Sequence, residues 1–137
     1  MAAARGAAPP RPGRPVLRYG AAALAFASEL IHLWAVPGQL VAAMLPGVFF
    51  LLVAAGQGLL AASLVFGPGR WTLRCGLALN VCVILTWALT RAASVPELFE
   101  PLRLPLEGLG LVATATEVAL VLALIGLRGS LPPKRRR

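Results

Sequence analysis

The sequence has few of the residues that most often carry chemistry. Its 137 residues include five acidic residues, two cysteines and a single histidine, His32. One histidine excludes bis-histidine haem ligation within one chain. Cys75 and Cys82 would stand about 10 Å apart on one helix, too far for a disulfide between them, so we interpret both as packing residues.

The sequence also lacks the common motifs of enzyme active sites. The chain contains no Gly-rich phosphate loop, no nucleophile elbow and no paired-cysteine motif. Two cysteines alone make no metal motif. No cofactor is therefore indicated, and the composition favours a non-enzymatic protein over an enzyme.

Apolar residues make up most of the chain. Hydrophobic residues make up 58% of the chain and charged residues 13%, and the mean hydropathy is +0.80. A soluble single domain of this length could not bury that much apolar surface in one core. The composition predicts an integral membrane protein whose main partner is the lipid bilayer.

Four apolar segments, each near the 20 residues that a bilayer requires, alternate with stretches rich in Pro and Gly. They predict an all-α, antiparallel four-helix bundle with spans at about 19–36, 45–66, 71–90 and 106–127. The first span is expected to end near "VPGQ". A cleaved signal peptide with "AFA" as its cleavage site is the alternative for the first segment. The long basic lead and Glu29 near the end of that segment argue against it.

The basic residues predict the orientation of the bundle. Residues 1–18 read as a disordered basic N-terminal tail and residues 128–137 as a basic C-terminal tail. Eleven of the 13 basic residues lie in the two tails or close to the connection between the second and third spans. The other two, Arg91 and Arg103, lie between the third and fourth spans. The positive-inside rule then places both termini in the cytoplasm of a multi-pass cell-membrane protein. The +8 net charge has no aromatic interleaving, so nucleic acid is not an expected partner.

Each apolar segment carries one strongly polar residue near the middle of the bilayer. Glu29 follows Arg18 by about 16 Å of helix, and Glu117 follows Glu107 by about 15 Å. At 100° per residue these side chains share a face with small residues, the face that meets a neighbouring helix. The candidate ligand- or proton-binding residues are Glu29, His32, Gln57, Asn80 and Glu117.

Two interpretations of this polar layer stand open. It could be structural, with buried amides and carboxyls joining the helices of an accessory bundle. It could instead bind a proton, a cation or a small ligand in a carrier or sensor, with a proton shared among Glu29, His32 and Glu117. A metal site on the same three residues has no recognised spacing. Arg91 either extends to the membrane boundary or pairs with Glu107 at the outer mouth of the bundle. Association with other membrane subunits or with a second copy stays open.

Three stretches carry a resemblance: "IHLWAVPGQLVAAMLPGVFFLLVAAGQGLLAA", "LALNVCVILTWALTRAASVP", and a Glu opening the last span followed by "ATATEVALV". They resemble a family of small four-span bacterial membrane proteins and, more distantly, DoxX-like four-helix membrane proteins. The resemblance covers about residues 20–127 and implies the fold and topology but no activity. In DoxX-like proteins the Glu that opens the last span is often followed a few residues later by an Asp. In this chain that Glu is Glu107, and the position of the Asp is taken by Leu111 or a residue next to it.

Overall fold

The computed structural model describes residues 14–92 and 107–129, and these form four helices with no strand among them. Helix α1 spans Arg14–Ala42, α2 Met44–Phe66, α3 Arg70–Ala92 and α4 Glu107–Gly129. The predicted all-α four-helix bundle is confirmed. The predicted disordered tails lie mostly outside the described residues, as does the connection between α3 and α4.

The first helix is longer than the sequence predicts at both ends. It begins at Arg14, within the predicted tail, and Pro15 fits there because the first turn needs no backbone donor. It continues through Pro37 to Ala42, so the predicted end near "VPGQ" is wrong. Gln39 is buried in the bundle, and its carbonyl accepts the Ala43 amide at 2.9 Å. Of residues 37–42 only Gln39 is buried, so the stretch beyond the proline contacts the bundle along one side.

Two tight connections make neighbouring helices antiparallel. Ala43 alone, in an extended conformation, separates α1 from α2. Just beyond it the helices approach so closely that a Cβ added at Gly47 would lie 2.8 Å from the Leu40 Cα. Residues 67–69 join α2 to α3. Gly67 there has a φ of 115°, a conformation that favours glycine, and donates its amide to the Ser63 carbonyl at 3.1 Å.

The apolar core lies at the end of the bundle where α1 begins. It combines the start of α1 and α3 with the end of α2 and α4, as antiparallel neighbours require. Small residues of α1 allow the close packing of leucines from the other three helices. The core residues are Ala21, Ala22, Ala25, Leu60, Ala61, Leu64, Leu73, Leu120, Leu124 and Leu127.

All four helices are long and apolar enough to cross a membrane. Large apolar side chains cover the outside of the bundle, among them Leu59 at 72% and Leu122 at 66% exposure. Such a surface is suited to lipid and not to water. Cys75 and Cys82 are exposed on this surface, so their interpretation as packing residues is wrong.

Candidate functional site

The polar residues of the predicted midplane layer are buried, with one exception. Gln57 and Asn80 are 0% exposed, Glu117 1% and His32 3%. Glu29 is only half-buried. They do not form one continuous layer. The structure separates them into two buried pairs and a single carboxylate.

The first pair links α2 to α3. The Gln57 amide donates to the Asn80 side-chain carbonyl at 3.0 Å, and the Asn80 amide donates to the Gly76 carbonyl at 2.8 Å. Gly76 leaves room for this approach, since a Cβ there would lie 2.7 Å from a Leu60 methyl carbon. Both amides are enclosed by packed helices, and this arrangement fixes the register of α2 on α3.

The second pair begins with His32 on α1. Its Nδ1 lies 2.8 Å from the Ser28 backbone carbonyl, one turn earlier on the same helix, and 3.4 Å from the Ser28 hydroxyl. A carbonyl oxygen only accepts hydrogen bonds, so Nδ1 must carry the hydrogen. The ring also lies 5.6 Å from the ring of Phe50, centroid to centroid. These contacts hold the imidazole with Nε2 directed to α4.

Glu117 on α4 faces that nitrogen. His32 Nε2 lies 3.4 Å from Glu117 Oε1, within ion-pair distance, yet no hydrogen bond of acceptable geometry reaches this oxygen from the described residues. With Nδ1 already protonated, a bare Nε2 beside an ionised carboxylate would set two lone pairs face to face around an unpaired buried charge. One proton, on either atom, removes both costs.

A cavity borders this pair. It measures ≈ 40 Å³. All four helices contribute to its wall. The lining residues are His32, Phe49, Phe50, Val83, Thr86, Trp87, Gly110, Ala113, Thr114 and Glu117. The cavity thus leaves space for a small ligand directly beside the pair.

Glu29 does not join this pair, although it stands only three residues before His32. It lies in an open groove between α1 and α2, lined mainly by small residues such as Ala22 and Ala62. A Cβ added at Gly58 would lie 2.8 Å from the Glu29 Cδ, so the carboxylate packs directly on the glycine backbone. Among the described residues, none forms a hydrogen bond or ion pair with Glu29. The expected group of Glu29, His32 and Glu117 is thus reduced to His32 and Glu117.

Arg91, expected at the outer end of α3, is exposed, and its guanidinium carbon lies 5.3 Å from the centre of the Trp87 ring. That contact is a cation–π interaction at the boundary of the bundle. The Glu107 side chain lies outside the described residues, so the alternative Arg91–Glu107 ion pair stays a prediction. At the opposite end, Arg74 lies over the Trp71 ring at 5.5 Å in a similar way.

The sequence analysis did not identify the aromatic part of the cavity wall. Phe49 and Phe50 meet edge to face, with centroids 5.8 Å apart, and Trp87 lines the same cavity. The Trp87 Nε1 is buried and finds no hydrogen-bond partner in the described chain. The doubled "FF" at the depth of His32 was the one signal available. No group of three His, Cys, Asp or Glu residues within the described ranges is placed to hold a metal ion.

Comparison with known proteins adds no identity to these observations. No protein-family model, no curated protein and no solved structure matches the chain. The resemblance to small four-span and DoxX-like membrane proteins therefore stays a prediction from the sequence.

Proposed function

We propose that this chain is a non-enzymatic membrane protein that binds a proton at the His32–Glu117 pair and acts as a proton-responsive carrier or sensor. One observation carries the proposal. A buried carboxylate faces the Nε2 of an imidazole whose Nδ1 is already occupied by the Ser28 carbonyl, at the edge of a cavity that all four helices line. This arrangement needs a proton and has open space beside it.

The Gln57–Asn80 pair supplies the internal contrast. Its amides donate and accept hydrogen bonds without changing charge, and neither residue lines the cavity beside Glu117. That pair is suited to holding helices together. His32 and Glu117 can both change charge, and both line the cavity. Adjacent cavity space combined with ionisable chemistry favours binding over a purely structural role for the His32–Glu117 pair.

The test is a pH titration of the purified full chain in lipid, from about pH 4 to 9, in which infrared difference spectroscopy measures the carboxyl and imidazole bands. We expect one carboxyl band that disappears in Glu117→Gln, and that changes in the same pH step as the imidazole bands of His32. Glu29→Gln is the matched control, because it removes a carboxylate of α1 that lies outside the cavity. A Glu117 band that never changes in this range, or changes independently of His32, would contradict the proposal.

An accessory bundle with a wholly structural polar layer is the second candidate, and the Gln57–Asn80 hydrogen bond favours it. On that account Glu117→Gln keeps the shape and hydrogen bonding of the side chain and leaves every property of the protein unchanged. The infrared titration separates the two candidates, because only the binding account requires a response to pH.

The bundle is oriented, on this proposal, with both termini in the cytoplasm of a bacterial cell membrane. Arg14 and Arg18 begin α1, Arg70 and Arg74 begin α3, and Arg128 ends α4, all at one end of the antiparallel bundle. Basic residues concentrate on the cytoplasmic side of membrane proteins. Reporter fusions to each terminus test this orientation. A reporter active outside the cytoplasm at either terminus would reverse it and would place the cavity at the cytoplasmic end.

A further inference from the structure

The cavity beside the proton-binding pair has a wall chemistry that a site for protons alone does not need. Phe49, Phe50 and Trp87 surround one part of it, and the Glu117 carboxyl closes another. Aromatic faces and a carboxylate are the two groups that attract an organic ammonium ion. Glu117 is 1% exposed, and its Oε1 has no good hydrogen bond within the described chain.

Charge decides which states of this site are stable. With the shared proton and no other ion, the His32–Glu117 pair is neutral overall. Without the proton it carries one negative charge, which burial in an apolar environment penalises heavily. A monovalent cation in the cavity would neutralise that charge. Proton and cation together would leave a net positive charge, penalised in the same way, so the two compete for the site.

The other charged groups around the pair leave this competition intact. On α1, Glu29 faces the groove towards α2. Helix α2 has no ionisable side chain at all. On α3, Cys82 is exposed on the outer surface, and Arg91 is exposed and stacked on Trp87. On α4, the Glu107 side chain lies outside the described residues. The described basic residue closest in sequence to the cavity wall is Arg91, four residues after Trp87 and exposed.

Size and wall chemistry indicate the class of cation. The volume of ≈ 40 Å³ exceeds the roughly 10–15 Å³ that one enclosed water needs, so the cavity has space for a small ion and not for an extended ligand. The wall offers a sodium ion few oxygen ligands, those of Glu117, Thr86 and Thr114, and the rest of the lining is mainly apolar. A methylated ammonium ion is weakly hydrated and gains from contact with Phe49 and Phe50.

We propose that this cavity binds a small methylated ammonium ion in exchange for the proton of the His32–Glu117 pair. The step is a plain exchange: the cation enters the cavity, the proton leaves the pair for the aqueous phase, and no covalent bond other than that to the proton changes. This inference rests on the proposed proton-binding function and adds the ligand class to it. Proton and cation gradients are thereby linked at one site, as a carrier or a cation-dependent sensor needs.

The test measures proton release from the full chain in weakly buffered detergent as tetramethylammonium is added. This probe carries no exchangeable proton, so every proton released comes from the protein. We expect saturable binding with about one proton released per cation bound. Sodium at equal ionic strength and the uncharged tert-butanol should release none. Equal release with either control, or cation binding without proton release, would overturn the exchange.

Three variants distinguish the failure of this inference from the failure of the proposed function. Phe49→Leu keeps an apolar wall but removes one aromatic face, and should weaken tetramethylammonium binding about fivefold or more; Phe26→Leu, outside the cavity, should not. Ala113→Leu fills the cavity and should abolish cation binding. A pH response in the wild type without saturable cation binding would refute this inference alone. The absence of any Glu117 pH response would refute the proposed function as well.

Discussion

A close approach of two backbones at the α1–α2 corner gives a stability prediction whose magnitude follows from the structure. A Cβ at Gly47 would lie 2.8 Å from the Leu40 Cα, a backbone atom that cannot move away by rotating a side chain. Gly47→Ala should therefore push α1 and α2 apart where Ala43 alone joins them. Overpacking of this kind costs about 1–3 kcal/mol.

Two other glycines serve as matched references for that change. Gly20 in α1 has no atom within 4 Å of an added Cβ, so Gly20→Ala should gain about 0.5–1 kcal/mol from helix propensity. At Gly58 the added Cβ would meet the flexible end of Glu29, 2.8 Å from its Cδ, and that side chain can turn away. Gly58→Ala should therefore fall between the other two.

The assay is reversible unfolding of each variant in mixed detergent micelles, with the loss of helix measured by circular dichroism. The difference between Gly47→Ala and Gly20→Ala removes most of the propensity contribution and should measure the clash, at about 1–3 kcal/mol. Equal stability of these two variants would show that the corner is loose, and would refute the packing argument for the short connection.

Three further predictions concern buried and exposed side chains. A double-mutant cycle of Gln57→Leu and Asn80→Leu should give a coupling free energy of about 0.6–1.7 kcal/mol in unfolding experiments, and a coupling near zero would mean that their hydrogen bond is absent in lipid. His32→Leu should cost about 1–3 kcal/mol because it leaves Glu117 without its partner, and adding Glu117→Leu should recover much of that loss of stability. Cys75→Ala should change the free energy of unfolding by less than about 0.5 kcal/mol because the thiol is exposed, and a larger loss would place it in a contact.

The sequence predicts three of the four helices closely, since apolar runs of membrane-spanning length ended by Pro and Gly have few alternatives. Helices α2, α3 and α4 begin and end within two residues of the predicted spans. The first helix departs from its prediction because Pro37 removes one backbone donor without ending the helix. Beyond the proline Gln39 is buried in the bundle, and such packing between helices is not revealed by a local sequence signal.

The sequence predicts which residues of the candidate site are buried, but not which of them contact each other. His32, Gln57, Asn80 and Glu117 are all buried, as their shared faces with small residues indicated. Glu29 and His32 differ by about 60° around α1 at 100° per residue. That angle is small enough to give both a place on the inner half of the helix. It is large enough to direct His32 to α4 and Glu29 to α2, and the sequence does not say which neighbour stands where.

The proton between His32 and Glu117 is the central claim, and nitrogen NMR of the imidazole tests it most directly. The chain has a single histidine, so protein labelled with ¹⁵N-histidine gives one pair of ring signals without further assignment. The account predicts that Nδ1 stays protonated in wild type and in Glu117→Gln, because the Ser28 carbonyl holds that hydrogen. It also predicts that the Nε2 signal shifts with pH in the wild type, together with the Glu117 carboxyl carbon, and loses that coupling in Glu117→Gln. A bare Nδ1 with a protonated Nε2, or an Nε2 signal that is the same in both proteins at every pH, would contradict the account.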